Sequence, residues 1–368
     1  MSKIFELFGY PLDTWNEEAK ANSKRAMCPF MGVQCDGGGN RYLSGINLEQ
    51  RQDLQDYFPG LKLIQAGICS LRPTPDEQPW IVCPRRLLTL RVGKSHFQSE
   101  TLHKLLQTSG LPKGSTLRAW SEVKMKVTTE NEEEEAKSFD YTFDYIFTGL
   151  TRKPVSEIAD LIGKTEKITQ RTAEANGLTL SKRSGSLWVD DFPCDPITIV
   201  EIMTSSTSGG DKKKRTQIAM AFEDAIKNGR KHNGPGINYR QVWARMVSQL
   251  IVKSQVGIAW NGKTIWLLQD VLANYISEST ALDLEKYISE HPNEVNILAF
   301  GYGTKANSLT NQQQIIELTD SKFYSGPISD TKSKSAGFID IVKIGAPPPK
   351  EKLWKALFLK KQCATLTA

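Results

Sequence analysis

Residues 196–206 read PITIVEIMTSS: an apolar, β-favouring run that carries one carboxylate, Glu201, and stops at a burst of Ser and Thr. A short apolar run bounded by turn-forming residues predicts a buried strand. A carboxylate inside such a strand is costly unless a cation or hydrogen-bond donor accompanies it. Side chains two apart on a strand share a face, so Met203 points with Glu201 toward whatever that acid serves.

Two further strands are predicted upstream. In WSEVKMKVTT (120–129), Val123, Met125 and Val127 alternate with Glu122, Lys124 and Lys126, and FDYTFDYIF (139–147) alternates likewise. The acidic segment ENEEEEAK (130–137) lies between them, so the pair reads as a hairpin in which Glu122 and Asp144 approach across the ladder. Three carboxylates on such strands suit a hard divalent cation such as Mg²⁺, and with it phosphodiester hydrolysis. On spacing alone, Glu122 and Asp144 as plain surface acids stay an open alternative. The long stretch before Glu201 also leaves room for Asp190 or Asp191 in place of Asp144, while Asp195 stands too close to Glu201 for hairpin geometry.

The remaining pattern alternates strands and helices. VSEIADLIGKTEKITQRTAEANG (155–177) predicts a helical insertion closed by Gly177, within about 151–187, and SLWVDDFPCDPITIVEIM (186–203) one or two extended segments. RTQIAMAFEDAIKNG (215–229) predicts a helix capped by Gly229. NYRQVWARMVSQLIVKS (238–254) predicts another, with Val242, Trp243, Met246, Val247, Leu250 and Ile251 on one stripe. QVGIAW (255–260), VNILAFGYG (295–303) and GFIDIVKIG (337–345) read as strands, and TIWLLQDVLANYI (264–276) as a helix. The fold class is therefore α/β, a mixed sheet flanked by helices.

The chain has 368 residues, and 39% hydrophobic content is enough for real cores. No apolar run is long enough to cross a membrane and no signal peptide is legible, so a cytoplasmic location is expected. The net charge, 47 − 41 = +6, mildly favours a polyanionic partner. Residues 1–92 look irregular and unable to hold a large core alone, and they contain four of the six cysteines: Cys28, Cys35, Cys69 and Cys83. Thiols clustered this way without a secretory signal suggest a metal site, with buried free thiols as the alternative. Cys194 and Cys363 read as packing residues. GYGTKANS (301–308) lacks the spacing of a phosphate-cradling loop, so no nucleotide cofactor is expected.

With CPF (28–30), VCPRR (82–86), FDY (143–145), IVEIMT (199–204) and NYRQVWARMVSQL (238–250) in that order, the chain resembles the NotI-like type II restriction endonucleases of the PD-(D/E)xK nuclease superfamily. The likeness covers roughly residues 28–275. It implies a prokaryotic, Mg²⁺-dependent, sequence-specific enzyme that cuts both strands of DNA, usually as a homodimer. It divides the chain into an N-terminal four-cysteine region (1–92) and an endonuclease core (93–368). By position Asp144 becomes the metal-binding aspartate, Glu201 the first acid of the ExK element, and Glu122 an additional acid. Cys28, Cys35, Cys69 and Cys83 become ligands of a structural iron, for which zinc is an equal fit.

Where that superfamily carries Lys, or in this branch Gln, this chain has Met203, whose thioether cannot orient a water. Gln217, Gln241 and Arg245 are the candidates to replace it. DNA contacts are expected from Lys212, Lys213, Lys214, Arg215, Arg240 and Arg245, with Arg85 and Arg86 as a third group and SKRSGS (181–186) as a flexible contact loop. The competing function is a non-catalytic DNA-binding protein that keeps a nuclease-like core and a four-cysteine module.

Overall fold

The computed structural model describes residues 2–38, 44–90, 98–111, 114, 116–129, 137–208, 210–228, 233–306, 315–330 and 337–343. Four strands, β1 (Lys3–Leu7), β2 (Tyr10–Pro11), β3 (Ile68–Arg72) and β4 (Trp80–Ile81), form an antiparallel sheet in the order β2-β1-β3-β4. The main sheet contains β5 (Arg118–Thr129), β6 (Lys137–Pro154), β7 (Leu180–Arg183), β8 (Ser186–Met203), β9 (Lys263–Gln269), β10 (Val295–Gly301) and β11 (Thr319–Gly326). Its order is β11-β10-β9-β8-β6-β5, with β7 beside the first half of β8. The pairs β8/β9 and β9/β10 are parallel and the others antiparallel, so the sheet is mixed.

Parallel strands covered on both faces read as continuous apolar runs, and β9 and β10 are buried along almost their whole length. Successive side chains of β9 enter different cores. Trp266 and Leu268 pack with Val242, Met246 and Leu250, whereas Ile265 and Leu267 pack with Val200, Leu298 and Phe300. The helices used below are α1 (Pro84–Leu87), α2 (Val155–Ile162), α3 (Glu166–Ala175), α4 (Ile218–Asn228), α5 (Tyr239–Ala259) and α6 (Asp270–Ser279).

Three boundaries differ from the sequence expectations. QVGIAW is not a strand but the end of α5, because the buried stripe continues from Leu250 through Ser254 to Gly257 at helical spacing. Gly257 is where that helix meets β9: an added Cβ would lie 2.5 Å from Thr264 Oγ1. TIWLLQDVLANYI is half strand and half helix, since its first six residues complete buried β9 and α6 starts at Asp270. Phe338–Val342, in the last expected strand, is a 3-10 helix that buries Phe338 and Ile341.

The helical insertion is present as α2 and α3, with a small core of Val155, Ile158, Ala173 and Val189, and Gly177 adopts φ +68° after α3 as expected. SKRSGS is a regular hairpin turn between β7 and β8, with Ser184 and Gly185 both at positive φ. Gly229 and ENEEEEA (130–136) lie outside the described residues.

The N-terminal region shares its core with α4: Ile218, Ala221 and Phe222 pack among Leu7, Phe8 and Phe58. A second tie is polar. Arg86 is fully buried, contacts both carboxylate oxygens of Glu6, and lies over the Tyr302 ring, while Tyr302 and Ser70 donate to Glu6. Arg86 is therefore no DNA contact: its helix turns it inward, where only a buried carboxylate lets it stay charged. Glu6→Gln leaves this cation unneutralised and is expected to cost about 3–5 kcal/mol in urea denaturation, whereas exposed Lys212→Ala is expected to stay within about 0.5 kcal/mol.

Candidate active site

The acids meet on one rung of the main sheet. The β6/β8 ladder ends at Tyr145↔Val200, so Asp144 and Glu201 face each other one step further on. On the other side of β6, the pairs Phe143↔Val123 and Tyr145↔Ser121 place Glu122 opposite Asp144. Hydrogen bonds tighten the rung, because the Ile202 N–H donates to Asp144 Oδ2 at 2.8 Å. Asp144 and Glu201 line a cleft of about 340 Å³ together with Arg245, Gln249 and Lys253 of α5.

Lys253 brings a cation to Glu201. Its Nζ donates to Glu201 Oε2 at 2.6 Å and lies 5.6 Å from the centroid of the Phe143 ring. Arg245, Gln249 and Lys253 recur every fourth residue, so α5 presents one polar line to the cleft while Val242, Met246 and Leu250 face the core. Met203 is 4% exposed and packs in that core.

Glu201 is a strained group. Burial first, and then repulsion from Asp144, push its carboxyl up to about 7 against the opposing pull of Lys253. Its Oε1 is buried without a hydrogen-bond partner. Asp144 is also raised by burial, although the Ile202 N–H, Lys253, Arg85 and Arg245 pull the other way. Two repelling buried carboxylates with one orphaned oxygen match the oxygen donor set of a hard divalent cation.

The other expected residues divide. Glu122, expected with the catalytic acids, sits at φ +50°, and its carboxylate is 3.4 Å from Arg85 Nη2. Among the described residues no group of three or more His, Cys, Asp or Glu side chains stands close enough to hold a metal ion, so the three acids are not a preassembled triad.

Lys253, which sequence reasoning missed, lines the cleft beside Glu201, where Gln217, Gln241 or Arg245 was expected. Arg245 lines the cleft, and Gln241 is met by Ser206 Oγ at 3.4 Å. Lys212, Lys213 and Lys214 form an exposed turn. Arg215 is exposed and pairs with Asp224 and Glu223 of α4. The Arg240 side chain lies outside the described residues. Asp190 and Asp191 are engaged by Arg152 and Arg118 on the insertion side, away from this rung.

Cys28, Cys35, Cys69 and Cys83 do gather, around Phe30. They pack as side chains of a small apolar cluster rather than as an assembled tetrahedral site. Burial keeps two of these thiols neutral: Cys28 is pushed up to about 12, first by burial and then by Cys83, and Cys35 is raised by the same two causes, while a hydrogen bond from Cys69 lowers Cys83. Each sulfur nevertheless faces backbone N–H groups. Gly9 donates to Cys69 at 3.2 Å and Gly37 to Cys35 at 3.4 Å. Phe30 and Met31 donate to Cys28, and Arg85 and Arg86 to Cys83. Cys194 lies apart, with Sγ on the Asp195 carbonyl.

No protein-family profile and no curated protein matches the sequence. No described helix is long and apolar enough to cross a membrane.

The raised Glu201 gives a signed pH dependence. Between its ordinary value of 4.5 and about 7, the folded chain holds a proton that the unfolded chain has released. Stability of the metal-free protein therefore falls as pH rises through that window. Glu201→Gln is expected to remove this slope, leaving the variant more stable than wild type at pH 7.5 by on the order of 3 kcal/mol and nearly equal at pH 4.5, read by urea denaturation at each pH. A slope that persists in the variant assigns the effect to another group.

Proposed function

We propose that the chain is a Mg²⁺-dependent type II site-specific deoxyribonuclease that hydrolyses phosphodiester bonds in both strands of DNA, acting as a homodimer. The observation that carries this reading is the Lys253 ammonium 2.6 Å from Glu201, in a cleft that Glu201 shares with Asp144 on the neighbouring strand. It supports the reading because two acids and a lysine stand close enough to take the roles that the PD-(D/E)xK resemblance implies, the lysine here coming from the helix that packs on the strand.

Asp144 and Glu201 would hold the cation, which when bound sets positive charge against the attacked phosphate and acidifies a nearby water. Lys253 spends one N–H on Glu201 and has two left to orient a water or a phosphate oxygen. Glu201 must be ionised to do its part, which its near-neutral titration allows at physiological pH. Arg245, beside the acids, and the turn Lys212, Lys213 and Lys214 would grip the DNA backbone.

The sulfur cluster would hold one structural iron or zinc through Cys28, Cys35, Cys69 and Cys83. Four thiols in a dry cluster with backbone N–H groups aimed at their sulfurs fit such an ion, which would let them ionise together. Elemental analysis of the purified chain is expected to find about one iron or zinc per chain, and less in Cys35→Ser. Equal metal content in the two proteins removes this part of the proposal.

The decisive assay is incubation of plasmid and genomic DNA with Mg²⁺, followed by sequencing of the ends. Discrete fragments with uniform ends are expected. Lys253→Met is expected to slow cleavage by about 10²-fold or more while binding DNA within a few-fold of wild type. Cleavage by this variant at the normal rate removes Lys253 from the chemistry. Binding by wild type without cleavage supports the non-catalytic DNA-binding alternative.

A further inference from the structure

We infer that Arg85 is a phosphate-responsive positioning residue. In the free protein it holds Glu122 back from Asp144 and Glu201, and on a DNA phosphate it gives up that carboxylate, so that Glu122 completes the ligand set of the cation. This inference rests on the nuclease reading above.

Three observations carry it. Glu122 occupies the same rung as Asp144 and Glu201, yet no three acids among the described residues stand at metal-binding spacing. The third acid lines the same cleft but is turned to Arg85: its backbone sits at φ +50°, a conformation that L residues rarely adopt, and its Oε1 lies 3.4 Å from Arg85 Nη2. Such strain is found where a local element is poised for function.

The second observation is the asymmetry of Arg85. It contacts Asp36 through both Nε, at 3.3 Å, and Nη2, at 3.1 Å, and reaches Glu122 only through the longer contact. The Asp36 side is anchored on both sides by the sulfur cluster, because Asp36 follows Cys35 and the Arg85 N–H itself donates to Cys83. The Glu122 side is the exchangeable one: that carboxylate is 49% exposed, and an ion pair so exposed is weak. A guanidinium matches a phosphate through paired hydrogen bonds and so competes well for the same arm.

The third is location. The acidic cleft of about 340 Å³ and a second one of about 490 Å³ share Arg85, Glu122 and Tyr145 as common wall. A DNA strand that passes from one cleft to the other must cross Arg85 beside the acids.

The test is a mutant cycle on the full chain, with Mn²⁺ as the probe and its affinity read by electron paramagnetic resonance. Without DNA, Glu122→Gln is expected to change Mn²⁺ affinity less than about twofold in the wild-type background. In the Arg85→Gln background it is expected to weaken affinity about fivefold, because there Glu122 reaches the ion. Simple loss of the arginine charge raises affinity equally with or without Glu122, and so drops out of the cycle.

A random-sequence duplex, with its own Mn²⁺ binding subtracted, is expected to tighten Mn²⁺ on wild type and not on Glu122→Gln. Equal effects of Glu122→Gln in both backgrounds overturn the inference, as does tightening by the duplex in its absence. If Arg85→Gln does not fold, Arg85→Lys replaces it, since a point charge cannot span both carboxylates. Glu201→Gln separates the two levels. If it leaves Mn²⁺ binding unchanged, the nuclease reading itself fails; if it abolishes binding while the cycle is additive, only the role of Arg85 fails.

Discussion

One buried ion pair, Lys253 with Glu201, held where the end of a sheet strand meets a long helix, governs the geometry of the cleft. Glu201 is 2% exposed and repelled by Asp144, so the fold can keep it there only by supplying positive charge. Lys253 supplies part of that charge, and Glu201 Oε1 remains without a partner. A site that leaves a buried acid half compensated is destabilising for the free protein and well suited to a cation. Such stability costs concentrate where function needs them.

The rest of the architecture fixes the geometry of that pair. The apolar alternation of β9 sets two cores on opposite sides of the sheet, and one of them packs α5 against the face that carries Glu201. The Glu6, Arg86 and Tyr302 network ties β1 to α1 and to the residue after β10, and α1 also carries Arg85 to the wall of the cleft. The sulfur cluster sits at the start of the same short helix. The N-terminal region is therefore part of the frame of the cleft.

Much of this was legible in the sequence. The hairpin of β5 and β6 was readable because alternation with period two is specific over such lengths, the strand around Glu201 because turn-forming residues bound its apolar run, and Asp144 was joined to Glu201 through the family resemblance. Short, wholly apolar runs carry no such phase, which is why β9 was mistaken for a helix and the end of α5 for a strand. Lys253 lies inside the helix expected over 238–254, and it was missed because no local pattern pairs it with Glu201. The polar line of Arg245, Gln249 and Lys253 runs opposite the apolar stripe of that helix, and its spacing of four was the available signal. Lys253 lies 52 positions from Glu201, and only the packing of α5 on β8 and β9 closes that distance. The inward turn of Arg86 and the capture of Arg215 by Asp224 depend on partners that no local pattern specifies.

The most direct measurement is the titration of the Glu201 carboxyl carbon by nuclear magnetic resonance, in the metal-free protein and at saturating Mg²⁺. The account requires an apparent pKa near 7 without metal and a fall of more than one unit when Mg²⁺ binds. A carboxyl that titrates at its ordinary value and does not respond to Mg²⁺ would contradict it.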